Sequence, residues 1–104
     1  MRPDYARMCP RYEAAAELLG KKWVGLVIRV LLGGPKRFGD FREQLPYLSD
    51  RLLSERLKHL EEQGIVTRAV HDTRPVHVEY QLTEKGKQLE PVFCAIQDWA
   101  ERWY

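Results

Sequence analysis

A chain of 104 residues with 44% hydrophobic and 31% charged residues has room for one hydrophobic core, so a single domain spanning 1–104 is expected and a disordered or fibrous chain is not. The longest apolar run, Trp23 to Gly34, is interrupted by Arg29 and falls well short of the roughly 20 residues a membrane span requires. No apolar secretory segment opens the sequence, which predicts a cytoplasmic protein without a membrane role. A net charge of +2 does not announce a polyanionic partner.

The first predicted helix runs from Pro10 to Leu19 and stops at Gly20. Proline suits the first helical position, where its missing N–H has no partner in any case, and this places Cys9 at the cap. A second helix is expected from Lys21 to the stop signal Gly33-Gly34-Pro35. Its apolar residues Trp23, Val24, Leu26, Val27, Val30 and Leu31 cover most of its faces, as a central core helix would. A short extended piece at 36–38 then leads into a helix over 39–45, closed because the residue ahead of Pro46 disfavours helical geometry.

Ser49 stands at a cap position before "DRLLSERLKHLEEQG", where Leu53, Leu57 and Leu60 recur at helical spacing and Gly64 closes the element. Two helices joined by a tight turn outline a helix-turn-helix. Residues 65–71 and 77–83, rich in β-branched and aromatic types, flank the turn-like "DTRPV" and predict a β-hairpin. Thr83 caps a final helix over 84–104, in which Leu89, Phe93, Ile96, Ala100 and Trp103 form one stripe and Pro91 predicts a kink or a delayed start.

This order is that of an α+β winged helix with extra N- and C-terminal helices. Stepping about 100° per residue from Leu53 puts Arg51, Ser54, Glu55 and Lys58 on the face opposite the core. Arg has the fork for guanine O6/N7, and Ser and Lys suit phosphates, whereas Asp50 and Glu55 repel them. Around this helix, Ser49, Lys36 and Arg37, with Arg74 and His77 of the hairpin, complete a candidate surface for double-stranded DNA. The C-terminal stripe, with Trp99 beside it, has more large apolar surface than docking on a small domain requires, which predicts a homodimer interface built on Leu89, Phe93, Ile96, Trp99 and Trp103.

The segments "CP", "GKKW", "GPKRFGDF", "LSDRLLSERLKHLEEQGIV" and "VEYQLTEKG", in this order and spacing, closely resemble the HxlR family of bacterial transcriptional regulators, winged-helix proteins related to the MarR group. The resemblance implies a homodimeric regulator with its N- and C-terminal helices at the interface and a near-palindromic operator, and repression of a nearby gene is expected. It places the recognition helix on 49–63 and the wing on 71–77. Two recognition helices of such a dimer lie about 34 Å apart, one turn of DNA.

Two cysteines 85 positions apart in a reducing compartment are each inert or reactive rather than a permanent disulfide. Arg7, Arg11 and the positive end of a helix dipole around Cys9 are features that favour the nucleophilic thiolate. The resemblance implies more, because in some HxlR-like proteins a cysteine at the "CP" position senses oxidants or electrophiles such as quinones or aldehydes, in some by bonding to a cysteine of the other subunit. Cys9 matches that position and Cys94 is a candidate partner. His71 and His77 face each other across the hairpin, but with Asp72 they match no recognised metal spacing, so neither a metal nor another cofactor is expected. No catalytic constellation is present, and an enzyme is not expected. A metal-responsive regulator and a protein-interaction module remain as alternative readings.

Overall fold

The computed structural model describes residues 2–104. Helix α1 (Pro10–Leu19) is followed by α2 (Val24–Leu31), α3 (Phe38–Gln44) and α4 (Asp50–Glu62). The hairpin β1 (Val66–His71) and β2 (His77–Leu82) leads into α5 (Glu84–Lys87) and α6 (Glu90–Trp103). The strands pair antiparallel from Val66↔Leu82 to His71↔His77. Lys36 adds one bridge to Tyr80, its N–H and carbonyl each bonded at 2.8 Å, so the loop ahead of α3 is stitched to the edge of the wing.

The core is built where the periodicity demands it. Val24, Val27, Ile28, Val30 and Leu31 of α2 meet Phe41 of α3 and Leu53, Leu57 and Leu60 of α4. Leu45 and Leu48 fill the turn between α3 and α4, while Ile65, Val66 and Leu82 close the core from the hairpin. The Phe41 ring is fully buried and meets Tyr80 edge-on at 6.3 Å, which ties the helix-turn-helix to β2. Gly64, at φ +73 after α4, turns the chain toward β1 in the left-handed region that favours glycine.

Several boundaries differ from those read in the sequence, each for a local reason. Residues 21–23 form a turn and Trp23 adopts φ 77, a left-handed conformation that delays α2 to Val24. Phe38 is already helical, because Asp40 at the third helical position reaches back to accept the Arg37 N–H at 2.8 Å. Leu45 leaves helical geometry at φ −125, ψ 61, one residue sooner than expected. The single C-terminal helix becomes two: Thr83 caps the short α5, accepting the Gly86 N–H at 3.1 Å, and the chain breaks at 88–89 before α6 restarts with Pro91 in its first turn. Pro91 thus sits where its missing donor costs nothing.

Candidate nucleic-acid interface and thiol site

Helix α4 carries the candidate reading surface. Leu53, Leu57 and Leu60 anchor one side in the core, and Arg51, Ser54, Glu55 and Lys58 are exposed on the other, as the helical spacing requires. The Ser49 hydroxyl accepts the Leu52 N–H at 3.2 Å and so serves first as the helix cap. The Arg51 side chain is 89% exposed and makes a loose 3.4 Å contact with Glu55, which leaves its guanidinium able to swing to another acceptor.

The acid at the front of α4 is held by a group that sequence periodicity does not reveal. Arg42 of α3 donates to both carboxylate oxygens of Asp50, at 3.0 and 2.8 Å, across the turn of the helix-turn-helix. This fork-to-fork pair offsets the charge that would otherwise repel a phosphate. Eight positions separate the two residues, and only the folded turn brings them together. Arg56, by contrast, donates to the Lys22 carbonyl at 2.8 Å, joining α4 to the turn before α2.

The remaining expected groups are distributed along the hairpin side. Lys36 is half-buried with its amine over Gly33, whereas Arg37 is exposed at the start of α3. Arg74 is exposed at the hairpin tip and has no hydrogen bond or ion pair among the described residues. His77 is half-buried: its ring stacks on His71 at 4.8 Å and its Nδ1 lies 3.3 Å from the Thr73 hydroxyl. It is therefore a partly engaged group rather than a free one. No ligand-pairing role for His71 with Asp72 emerges; its Nε2 instead lies 3.2 Å from Glu79 Oε1.

Cys9 occupies the cap of α1 with extended backbone, φ −90 and ψ 125, and its side chain makes no capping bond. Its carbonyl accepts the Glu13 N–H at 3.0 Å, so the backbone does the work of helix initiation while the exposed thiol is left unengaged. Beside it opens a largely apolar hollow of about 560 Å³ lined by Pro3, Asp4, Tyr5, Arg7, Met8, Cys9 and Tyr12. Arg7 lies in that lining and Arg11 does not. Cys94 is a second exposed thiol, on α6, and the two cysteines are not bonded within the chain.

The expected C-terminal stripe divides in two. Leu89 and Phe93 are half-buried and pack on the chain's own core, the Phe93 ring lying beside Gly25 of α2. Arg29 of α2 holds α6 in place by donating to Gln97 Oε1 at 3.2 and 2.9 Å. Beyond that point Ile96, Trp99 and Trp103 are 53%, 56% and 68% exposed. At the other end Tyr5, Met8 and Tyr12 are likewise uncovered. No helix among the described residues is long and apolar enough to cross a membrane.

The chain as a whole is similar to known proteins. The chain is 49% identical over 100 residues to the HTH-type transcriptional regulator YvaP of Bacillus subtilis, covering 96% of this chain and 93% of that protein. It is 52% identical over 95 residues to the B. subtilis HTH-type transcriptional regulator YodB, covering 91% and 85%. The solved reduced form of YodB superposes with a TM-score of 0.83 at 50% identity, over 93% of this chain and 95% of that one. YodB has also been solved after diamide treatment, with a TM-score of 0.77 at 51% identity, covering 92% and 95%, and bound to quinone, with 0.78 at 49%, covering 92% and 100%. A profile of the HxlR-like helix-turn-helix family matches residues 18–104. The chain therefore belongs to the HxlR-like helix-turn-helix family and is a winged-helix transcriptional regulator.

Proposed function

We propose that this regulator works as a homodimer on a near-palindromic DNA operator and is switched by oxidation or electrophile modification of Cys9. The observation that carries this reading is the exposed, uncapping thiol of Cys9 at the edge of an apolar hollow. The diamide-treated and quinone-bound forms of YodB, a protein half identical to this chain, support it. In the dimer, α1 and the exposed half of α6 cover each other's apolar surfaces, and α4 of each copy enters successive major grooves about 34 Å apart. Arg51, Ser54 and Lys58 face the bases and phosphates, with Ser49, Lys36 and Arg37 at the edge of that surface and Arg74 and His77 on the wing.

Two chemistries suit the site. With a quinone, the Cys9 thiolate adds to a ring carbon, the new C–S bond pushes an electron pair into the ring, and two proton transfers leave the substituted hydroquinone. With diamide, the thiolate adds to one nitrogen of the N=N bond. A second thiolate, Cys94 of the partner subunit, then attacks the Cys9 sulfur and expels the hydrazine, which has taken up two electrons and two protons. Either change alters α1 at the interface and with it the angle and spacing of the two recognition helices.

The test is a gel shift on the DNA flanking the protein's own gene, with and without diamide or quinone. Wild type releases the DNA on either treatment, Cys9→Ser releases on neither, and Cys94→Ser still releases with quinone. If Cys9→Ser were released as readily as wild type, the switch would have to lie elsewhere.

A further inference from the structure

We propose that one face of the hairpin is a binding site for a divalent transition ion of the zinc class, formed by His71, His77 and Glu79. The strand register creates the site. His71 and His77 are directly opposite partners, and such pairs bring their Cβ atoms to about 5 Å. Glu79, two residues beyond His77, projects from the same face because side chains alternate along a strand. One ligand atom from each of the three lies within 4.8 Å of the other two. The residue opposite Glu79 is Ala69, whose methyl group leaves that face open. Tyr80 and Leu82 alternate onto the other face, toward the core, so the three ligands belong to the side of the wing turned away from it.

The hydrogen bonds already set one imidazole for coordination. The Thr73 hydroxyl lies 3.2 Å from the Pro75 carbonyl and 3.3 Å from His77 Nδ1; with its one proton given to the carbonyl, its oxygen is placed to accept from Nδ1. The proton on Nδ1 leaves the lone pair of His77 on Nε2, and an outer partner of this kind fixes the tautomer and ring orientation of a metal-binding histidine. On the other strand His71 Nε2 lies 3.2 Å from Glu79 Oε1, a gap bridged by one proton. An ion takes that proton's place between nitrogen and carboxylate: the lone pair of Nε2 goes to the metal, and the neutral ring changes tautomer so that its one proton sits on Nδ1.

Two imidazoles and one carboxylate with an open fourth position suit Zn²⁺, or Co²⁺ and Ni²⁺ as close analogues, whereas Mg²⁺ and Ca²⁺ call for all-oxygen sets. Tetrahedral bonds of about 2.0–2.2 Å bring ligand atoms to roughly 3.3 Å from one another. From a spread of at most 4.8 Å at three half-buried side chains, that closure needs a shift of about 1.5 Å, the scale of a side-chain rotation rather than a strand movement. The site is separate from the thiol chemistry of Cys9, and it stands whether or not the wing touches DNA.

The test is a calorimetric titration of the full chain, stripped by chelator dialysis, with Zn²⁺ alone and without DNA. One ion per chain is expected. His71→Ala, His77→Asn and Glu79→Gln each weaken binding by at least about tenfold, and Thr73→Val by about tenfold, with Thr73→Ser restoring it. A Cys9→Ser/Cys94→Ser variant keeps wild-type zinc affinity, and Co²⁺ bound to wild type shows no thiolate charge-transfer band. Unchanged melting temperatures show that the metal-free variants are folded. Absence of saturable zinc binding by wild type, indifference to the histidine substitutions, or loss in the cysteine variant would each overturn the assignment.

Discussion

The middle and the ends of this chain are built to different rules. Every buried core side chain lies between Val24 and Leu82, whereas neither α1 nor α6 buries a single residue fully. Helix α2 buries Val24, Val27, Ile28, Val30 and Leu31, although Leu26, which the sequence places on a core helix, is exposed on the side it shares with solvent; α6 buries no residue fully and has Ile96, Trp99 and Trp103 in water. The Cα radius of gyration is 15.4 Å with extents of 55 × 30 × 23 Å, where a compact domain of this length measures about 13 Å. The difference teaches that the winged helix is stabilised by its own core, while the end helices leave large apolar side chains that this core does not cover. Large exposed sets of aromatic and aliphatic side chains are the usual mark of an interaction surface, which is the basis for the proposed homodimer.

The largest effect that would break this division comes from the middle. Phe41→Ala removes a fully buried ring that joins α3 to β2, and is expected to cost about 3–5 kcal/mol in urea unfolding. A loss below about 1 kcal/mol would mean that the core is not the main source of stability. At the ends the expected change is in association rather than folding. Ile96→Glu with Trp99→Ala should weaken the dimer by about 2–4 kcal/mol, seen by sedimentation as a shift to monomer with helix content retained. A dimer of undiminished affinity would take α6 out of the interface.

The same division governs what could be read from the sequence. Helical spacing around Leu53, Leu57 and Leu60 was enough to orient α4, because burial of one face is a local, periodic property. Ser49 as cap, Gly64 as stop and Cys9 ahead of Pro10 were legible for the same reason. The split of the C-terminal segment at 88–89 was visible only as an awkward Pro91, since where a helix restarts depends on how α5 packs under the hairpin. Trp23 gave no warning of its left-handed backbone. Pairings across the fold were hidden altogether: Arg42 with Asp50 arises from the geometry of a turn, and Glu79 with His71 from strand register. Asp72 was the neighbouring acid in sequence, but alternation along the strand makes Glu79 the one that shares a face with both histidines.

Within the proposed DNA surface a smaller contrast is expected to separate reading from holding. Arg51→Ala is expected to relax base preference at the positions it faces, costing about 1–3 kcal/mol against the preferred operator and little against other sequences. Arg74→Ala should weaken all sequences alike and lower the salt slope by about one. Equal loss of specificity from both, in binding curves on operator and random DNA, would remove the distinction between helix and wing.

The smallest effect tests why an acid is tolerated at the front of the reading helix. Arg42 and Asp50 are 58% and 59% exposed in their side chains, so Arg42→Ala should change stability by no more than about 1 kcal/mol. Its effect on DNA should be comparable in energy but different in origin, a loss of about three- to tenfold in affinity, because Asp50 then meets the phosphates without its counter-charge. The double variant Arg42→Ala/Asp50→Ala separates the causes. Recovery toward wild-type affinity means that Arg42 acts by masking Asp50, and the coupling between the two sites measures that masking. A double variant as weak as Arg42→Ala would instead make Arg42 a phosphate contact in its own right, extending the DNA surface from α4 onto α3.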